Sequence, residues 1–422
     1  MPAPMDLSHA KSLDHADPLK SYRERFYHSE PGLLYMDGNS LGKLPLETLE
    51  LSQRLVQQQW GDRLIRSWNE GWLELPQRIG DKIGQLVGAR QGEVIVADST
   101  SINLFKLVSA ALSLRPGRSK ILTDTLNFPS DLYILEGVSR MMGKSHSIQL
   151  VDSHDGVHGP EDELIAQLDS NTALLTLSHT VYKSGYVYDM KRLTQAAHEV
   201  GALVLWDLSH STGAVAVDLH TSQADIAVGC TYKYLNGGPG SPAFMFVKEA
   251  LQASLQNPIS GWMGHQDLFA FSKVYSPAPG IKRFLAGTPA IVSTALIEPG
   301  VDILLEAGIP ALVEKSQKQI DYFYELWAYF LKDLGFQFES PREAQYRGSH
   351  ATLSHEQALP IDLALIHEKG VIPDFRAPHY LRFGMAPIYT SFEEIYLTIQ
   401  HLKEIYTTGM YLSYQDKKPS VT

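Results

Sequence analysis

Two short apolar runs in this chain each end on a charged residue. Asp225-Ile-Ala-Val-Gly-Cys-Thr-Tyr-Lys-Tyr234 places Lys233 behind small and apolar residues, and the chain then breaks into Asn236-Gly-Gly-Pro-Gly240. Ala202-Leu-Val-Leu-Trp206 ends as abruptly on Asp207. Lysine and aspartate are rarely buried without a partner or a task. An amine and a carboxylate at the carboxyl ends of core strands are what pyridoxal phosphate (PLP) requires. The amine forms a Schiff base with the aldehyde, and the carboxylate pairs with the protonated pyridine nitrogen. Taken singly, Asp207 serves equally well as a helix N-cap and Lys233 as an exposed loop lysine. Their pairing favours the cofactor.

The remaining parts of such a site have candidates. Asp98-Ser-Thr-Ser-Ile-Asn103 lies between an apolar run and an amphipathic one, so its hydroxyls, Thr100 and Ser101 among them, fall where a helix N-terminus attracts a phosphate. A capping box fits the same residues. In Asn127-Phe-Pro-Ser-Asp131, Phe128 is placed to stack on a ring and Ser130 or Asp131 to meet its polar edge. A helix cap explains Ser130 as well. His210 is read either as a neighbour of the cofactor or Asp207, or as a structural histidine. Tyr232 offers a phenol for the phosphate or for proton donation, against plain packing. Arg382, in Tyr380-Leu-Arg-Phe-Gly384, is the natural bidentate partner of a substrate carboxylate if it is not a surface arginine.

These residues must be positioned by alternating strands and helices. Strands are expected at 93–97, 119–123, 147–151, 173–177, 203–206, 226–228 and 243–247, with helices at 101–114, 130–142, 160–168 and 190–200. Strands apolar throughout, with helices between them, imply a mostly parallel sheet covered on both faces. After Leu312 the pattern changes to long amphipathic helices, near 312–334 and 392–406, flanking short strand-like pieces at 347–353 and 380–383. The fold class is α/β, with an N-terminal segment (1–50), a large domain (51–311) and a smaller C-terminal α+β domain (312–422). The first 50 residues read as irregular, with Tyr35-Met-Asp-Gly-Asn-Ser-Leu-Gly42 a loop near the site and Ser40 a substrate-side candidate.

Composition narrows the class. The chain has 422 residues, 44% hydrophobic and 20% charged, with a formal net charge of −11. That balance, with no basic run, argues against a nucleic-acid binder. No stretch reaches the roughly 18 apolar residues of a membrane helix, and the start lacks the apolar region of a secretory signal. The single cysteine, Cys230, excludes an internal disulfide and a multi-thiolate metal site, and no metal is expected. A cytoplasmic setting fits.

Met36-Asp-Gly-Asn-Ser-Leu-Gly42, Ser67-Trp-Asn-Glu-Gly-Trp72, Asn127-Phe-Pro-Ser-Asp131, Trp206-Asp-Leu-Ser-His210, Cys230 to Gly240, Gly261-Trp-Met-Gly-His265 and Gly287-Thr-Pro289 together carry a resemblance. The chain resembles the fold-type I PLP enzymes, in the subgroup that includes cysteine desulfurases and small-molecule aminotransferases. Within it, the chain is similar over nearly its whole length to the kynureninases. The resemblance implies PLP-dependent hydrolysis of L-kynurenine, or its 3-hydroxy derivative, to anthranilate and L-alanine in tryptophan catabolism, by a homodimer with shared active sites. It implies that Lys233 carries the cofactor, Thr100 and Ser101 hold the phosphate, and Phe128 stacks on the ring. Ser130 and Asp131 would lie nearby, Asp207 would pair with the ring nitrogen, and His210 would support that end. Tyr232 would contact the phosphate, Trp262 and Thr288 would do so across the dimer interface, and Arg382 would bind the substrate carboxylate. Ser178 is a further cofactor-side candidate and Tyr232 the candidate acid. A desulfurase of this fold needs a mobile, exposed cysteine late in the chain, which Cys230 is not. An aminotransferase would share every cofactor residue.

Overall fold

Successive residues of Leu203-Val-Leu-Trp206 alternate between two apolar cores, Leu203 and Leu205 in one, Val204 and Trp206 in the other. A strand apolar on both faces needs cover on both, and this one lies in the middle of a sheet. The computed structural model describes residues 5–28, 30–143 and 146–417. Its strands are β1 (Leu34–Tyr35), β2 (Val94–Val96), β3 (Lys120–Asp124), β4 (Ser147–Val151), β5 (Thr172–Ser178), β6 (Leu203–Asp207), β7 (Ile226–Gly229), β8 (Phe244–Val247), β9 (Gln337–Phe338), β10 (His350–Ser354), β11 (Val371–Ile372), β12 (Asp374–Arg376) and β13 (Tyr380–Gly384).

Seven of them form the central sheet in the order β2-β8-β7-β6-β5-β3-β4. Only β8 runs against the others. All seven strands expected from sequence are present within a residue or two of their expected ends. Register places Ser178, Asp207 and Val228 side by side, so the carboxyl ends of β5, β6 and β7 open together. In α/β sheets that edge is where ligands bind.

A second, four-stranded antiparallel sheet, β12-β13-β10-β9, packs with the helices Ile309–Phe330, Ala358–Lys369 and Phe392–Thr408 around a third core. The last helix has a full capping box, Ser391 with Glu394, and stops at Gly409 in the left-handed region. Leu34 and Met36 belong to this core although they lie hundreds of residues earlier. Strand β1 pairs in parallel with β11. The expectation of an irregular start needs correction: Asp6 caps a helix, Leu7–Ala16, and a second helix spans Leu46–Arg54. The first was hidden because only Ala10 of its ten residues is buried, so it shows no apolar stripe.

Candidate active site

Ten of the residues singled out from sequence line one small cleft: Thr100, Ser101, Phe128, Ser130, Asp131, Ser178, Asp207, His210, Tyr232 and Lys233. Thr180 and Ser209, which sequence reasoning missed, complete its wall. Each lies at the carboxyl end of a strand or in the loop or helix start that follows one. Behind β2, Asp98 takes a positive φ of 47° and its carboxylate pairs with the buried Lys106, whose Nζ also donates to the Phe284 carbonyl at 2.8 Å. This pins the turn. Ser99 then caps the helix Thr100–Ser113, leaving Thr100 and Ser101 to face the cleft at the helix N-terminus. Behind β3, Phe128 precedes Pro129 at the first turn of the next helix. The Phe128 ring is partly exposed and meets Tyr182 edge-on at 5.1 Å between centroids.

Lys233 does not end a strand. Strand β7 stops at Gly229, and Lys233 lies four residues further on, in a bend held by the N-terminal loop. The Gly42 N–H donates to the Tyr232 carbonyl at 2.8 Å, and a Cβ on Gly42 would stand 2.3 Å from the Lys233 carbonyl. Only glycine allows this approach. Cys230 falls just past the strand. It is buried, with its thiol 3.7 Å from the Ser209 carbonyl.

The electrostatics suit a cationic ring. Asp131 and Asp207 share the cleft wall, and burial, then repulsion from Asp207, raises the Asp131 carboxyl well above the carboxylate range. Asp207 is further fixed by the Ser209 N–H at 2.6 Å. His210 bonds to Lys233 and not to Asp207: its Nε2 lies 2.9 Å from Lys233 Nζ. Burial, then the charge of Lys233, pushes the imidazole far below its ordinary range. It is therefore a neutral acceptor for the lysine. The Tyr232 phenol is pushed up, first by the Cys230 thiol and then by burial, so it keeps its proton. Ser178 donates to Asn127 Oδ1 at 2.8 Å, a contact that holds the Phe128 loop against the sheet.

Four candidates, Thr288, Trp262, Arg382 and Ser40, lie outside this cleft. Thr288 lines a wider neighbouring cleft that shares Thr100, Ser101 and Tyr232 with the first. Trp262 is 47% exposed and its indole donates to the Leu268 carbonyl. Arg382 differs most from expectation. It lies inside β13 and is 2% exposed, so it is not a surface arginine. Its fork is already filled: Nε donates to Asp374 Oδ1 at 3.0 Å and Nη2 to Asp374 Oδ2. Nη2 also meets Ser40 Oγ at 2.9 Å, and Nη1 donates to the Tyr182 carbonyl at 2.6 Å. Ser40 in turn donates to Asp374 at 2.9 Å, so it serves this network. An antiparallel register brings Asp374 opposite Arg382, which residue spacing alone does not reveal.

An acidic pair, Asp207 at a strand end and Asp131 in the first turn of a helix, a lysine in a close-packed bend and hydroxyls at a helix N-terminus are a donor set that fits PLP. The fold is that of the fold-type I PLP enzymes. A cysteine desulfurase from Thermococcus onnurineus superposes with a TM-score of 0.75 over 94% of this chain and 98% of its own, at 16% identity. A cystine C-S lyase superposes with a TM-score of 0.77 over 89% of this chain and 98% of its own, also at 16% identity. Closer similarity is found in sequence. Residues 312–402 match the family described as Kynureninase C-terminal domain. The kynureninase of Pseudomonas fluorescens is 46% identical over 399 residues, 93% of this chain and 94% of the relative. That of Burkholderia pseudomallei strain K96243 is 42% identical over 404 residues, 94% of this chain and 95% of the relative. The chain belongs to the kynureninase family.

Proposed function

We propose that this protein hydrolyses the Cβ–Cγ bond of L-kynurenine, giving anthranilate and L-alanine, with PLP held on Lys233. The observation that carries the reading is the convergence of Lys233, the Asp131–Asp207 pair and the Thr100–Ser101 cradle in one cleft of a chain 46% identical to a kynureninase. Bound there, the cofactor supplies an electron sink for charge developing at the substrate's α-carbon.

The chain's own residues divide the remaining work. Thr100, Ser101 and the helix N-terminus behind them hold the phosphate. Phe128 covers one face of the ring, and Asp207, steadied by the Ser209 N–H, keeps the ring nitrogen protonated. Neutral His210 orients Lys233 Nζ through their 2.9 Å contact, and Nζ moves the proton at the substrate's Cα. Tyr232, whose proton is firmly held, donates at the aryl ketone oxygen as water adds to the carbonyl. The substrate's carboxylate docks toward Arg382, where one N–H of Nη1 is left over by Tyr182.

The working unit is a homodimer with sites at the subunit boundary. Supporting this are Thr288 on the wall of the wide cleft beside the cradle, and the exposed apolar side chains of Ile65, Phe269, Phe271 and Val274, of the kind that mark interaction surfaces. A cytoplasmic setting suits a chain whose one thiol is free and buried. No helix among the described residues is long and apolar enough to cross a membrane.

The test is an absorbance spectrum of the purified protein with added PLP, then anthranilate fluorescence after adding kynurenine. Fluorescence rising without any 2-oxo acid is the expected result. Turnover that depends on a 2-oxo acid would make the protein an aminotransferase.

A further inference from the structure

Two buried imidazoles stand side by side next to the reactive lysine, and the chemistry described so far uses only one of them. His350 lies in β10, where the antiparallel register sets Thr352 opposite Arg382 and His350 opposite Gly384. Side chains two apart on a strand share a face, so the imidazole stands on the same side of the sheet as the Arg382 guanidinium. Gly384 has no side chain to crowd it. The loop after β5 closes over the residue: a Cβ on Gly185 would stand 3.4 Å from His350 Nε2 and 2.9 Å from its carbonyl oxygen. The histidine is 1% exposed.

Apolar packing does not account for a polar ring in this place. Neither nitrogen of His350 has a hydrogen-bond partner, and a phenylalanine or methionine would fill the space without stranding polar atoms. His210 is in the same condition at one end. Its Nε2 meets Lys233 Nζ at 2.9 Å, while its Nδ1 is buried without a partner. The two rings lie 5.5 Å apart between centroids, inclined at 57°. At that separation a small turn of one ring, or a single bridging water, joins a donor on one to an acceptor on the other. Both rings are neutral. Burial, then the charge of Arg382, pushes His350 down to about 3, and His210 is held far below its ordinary range by burial and then by Lys233. Lys233, Arg382, Arg376 and Asp374 are the charged groups that act on the pair. A neutral imidazole has one N–H and one lone pair. Accepting from Lys233 at Nε2 obliges His210 to carry its proton on Nδ1, and that buried N–H needs an acceptor.

We infer that His350 is a positioning residue for the reaction: it accepts a hydrogen bond from His210 Nδ1–H and so fixes the tautomer in which His210 Nε2 offers its lone pair to Lys233. Which ring nitrogen of a histidine carries the proton is set by the bond that the other one makes. Without His350, the tautomer protonated on Nε2 gains population, and its N–H then opposes a protonated nitrogen on Lys233. The second sheet thus reaches the lysine bend of the first through two imidazoles. The inference rests on the reading of Lys233 as the residue that carries PLP.

Bound PLP changes its absorbance as the Lys233 nitrogen gains or loses a proton, so the pH midpoint of that change reports on the contact. Spectrophotometric pH titration of the PLP-loaded protein is the test. In His350→Phe the midpoint should fall by at least about one pH unit, the effect of losing one hydrogen bond to a charged group. His350→Gln, which keeps an acceptor, should recover part of the fall. In a His210→Phe background, adding His350→Phe should move the midpoint by no more than about 0.3 pH unit, because the effect passes through His210. An unchanged midpoint in His350→Phe would overturn the inference even if Tm fell, and so would equal shifts with and without His210. Should His350→Phe fail to fold, His350→Met takes its place with the same expected fall. The parent reading is judged separately: borohydride reduction of the unmodified protein, followed by peptide mapping, shows whether Lys233 carries the cofactor.

Discussion

Replacing Arg382 by methionine should destabilise this protein through the carboxylate it leaves behind. The side chains of Arg382 and Asp374 are 2% and 3% exposed, and the guanidinium grips both carboxylate oxygens. Removing one partner of a buried pair strands the other charge in a poorly solvated place, at a cost of about 3–5 kcal/mol. Ser40 and Arg376 still contact Asp374, which argues for the lower end. At about 2.1 cal/mol/K per residue, a chain of 422 residues has an unfolding entropy near 0.9 kcal/mol/K, so Tm should fall by about 3–6 °C if the chain unfolds as one unit. Asp374→Asn should lose a similar amount, because it strands the arginine instead. The double variant should then lose less than the two losses added, by roughly 1–3 kcal/mol of coupling. Differential scanning fluorimetry and urea titration of the cofactor-free protein measure all four corners of this cycle. Strict additivity, or an Arg382→Met protein as stable as its parent, would show that the pair is not the closed ion pair described here.

Three other outcomes are expected. Asp207→Asn should keep the fold and lose about a hundredfold or more in kcat, since losing one preorganised electrostatic group costs about 3 kcal/mol; stopped-flow and steady-state assays with kynurenine check this, and near-normal turnover refutes it. Burial pushes the Asp362 carboxyl up to about 8 from 3.8, so the folded state keeps a proton that the unfolded chain releases, and stability declines as pH rises between those values. Asp362→Asn removes that decline, and its Tm advantage over the parent should grow by a few °C between pH 5 and pH 8, whereas parallel Tm curves would contradict it. Mixing Lys233→Ala subunits with Thr288→Ala subunits should restore one active site per heterodimer, and no recovery in the mixed sample would mean that each subunit builds its site alone.

Much of the site was legible because its residues follow one local rule. Lys233, Asp207, Phe128, Thr100 and Ser101 all sit where an apolar run gives way to a polar turn, and that transition is visible in one dimension. What escaped depends on register or on distance. Asp374 and Arg382 meet only because β12 and β13 pair antiparallel around a short turn, and nothing in their eight-residue separation announces it. His350 was passed over for a related reason. Strand β10 carries it to within 5.5 Å of the His210 ring, yet it is more than a hundred residues away in the chain. The engagement of Arg382 by Asp374, Ser40 and Tyr182 was hidden because a sequence shows which donors exist and not which are already taken.

The tie between the two ends of the chain also sets a timetable. Ser40 bonds to Asp374 across 334 residues, and β1 finds its partner strand only in β11. At the usual ribosomal pace of about 5–20 residues per second, the N-terminal segment waits roughly 15–70 s for the strand that will hold it. Until then Leu34 and Met36 have no core to enter, and the bend carrying Lys233 lacks the shaping that Gly42 gives only once its loop is anchored. A nascent chain cut short before β11 would therefore carry every cofactor-cradling residue and still leave its reactive lysine unplaced. Interruption during synthesis yields an inert fragment with exposed apolar ends, the kind of species that chaperones and proteases recognise, and not a half-active enzyme.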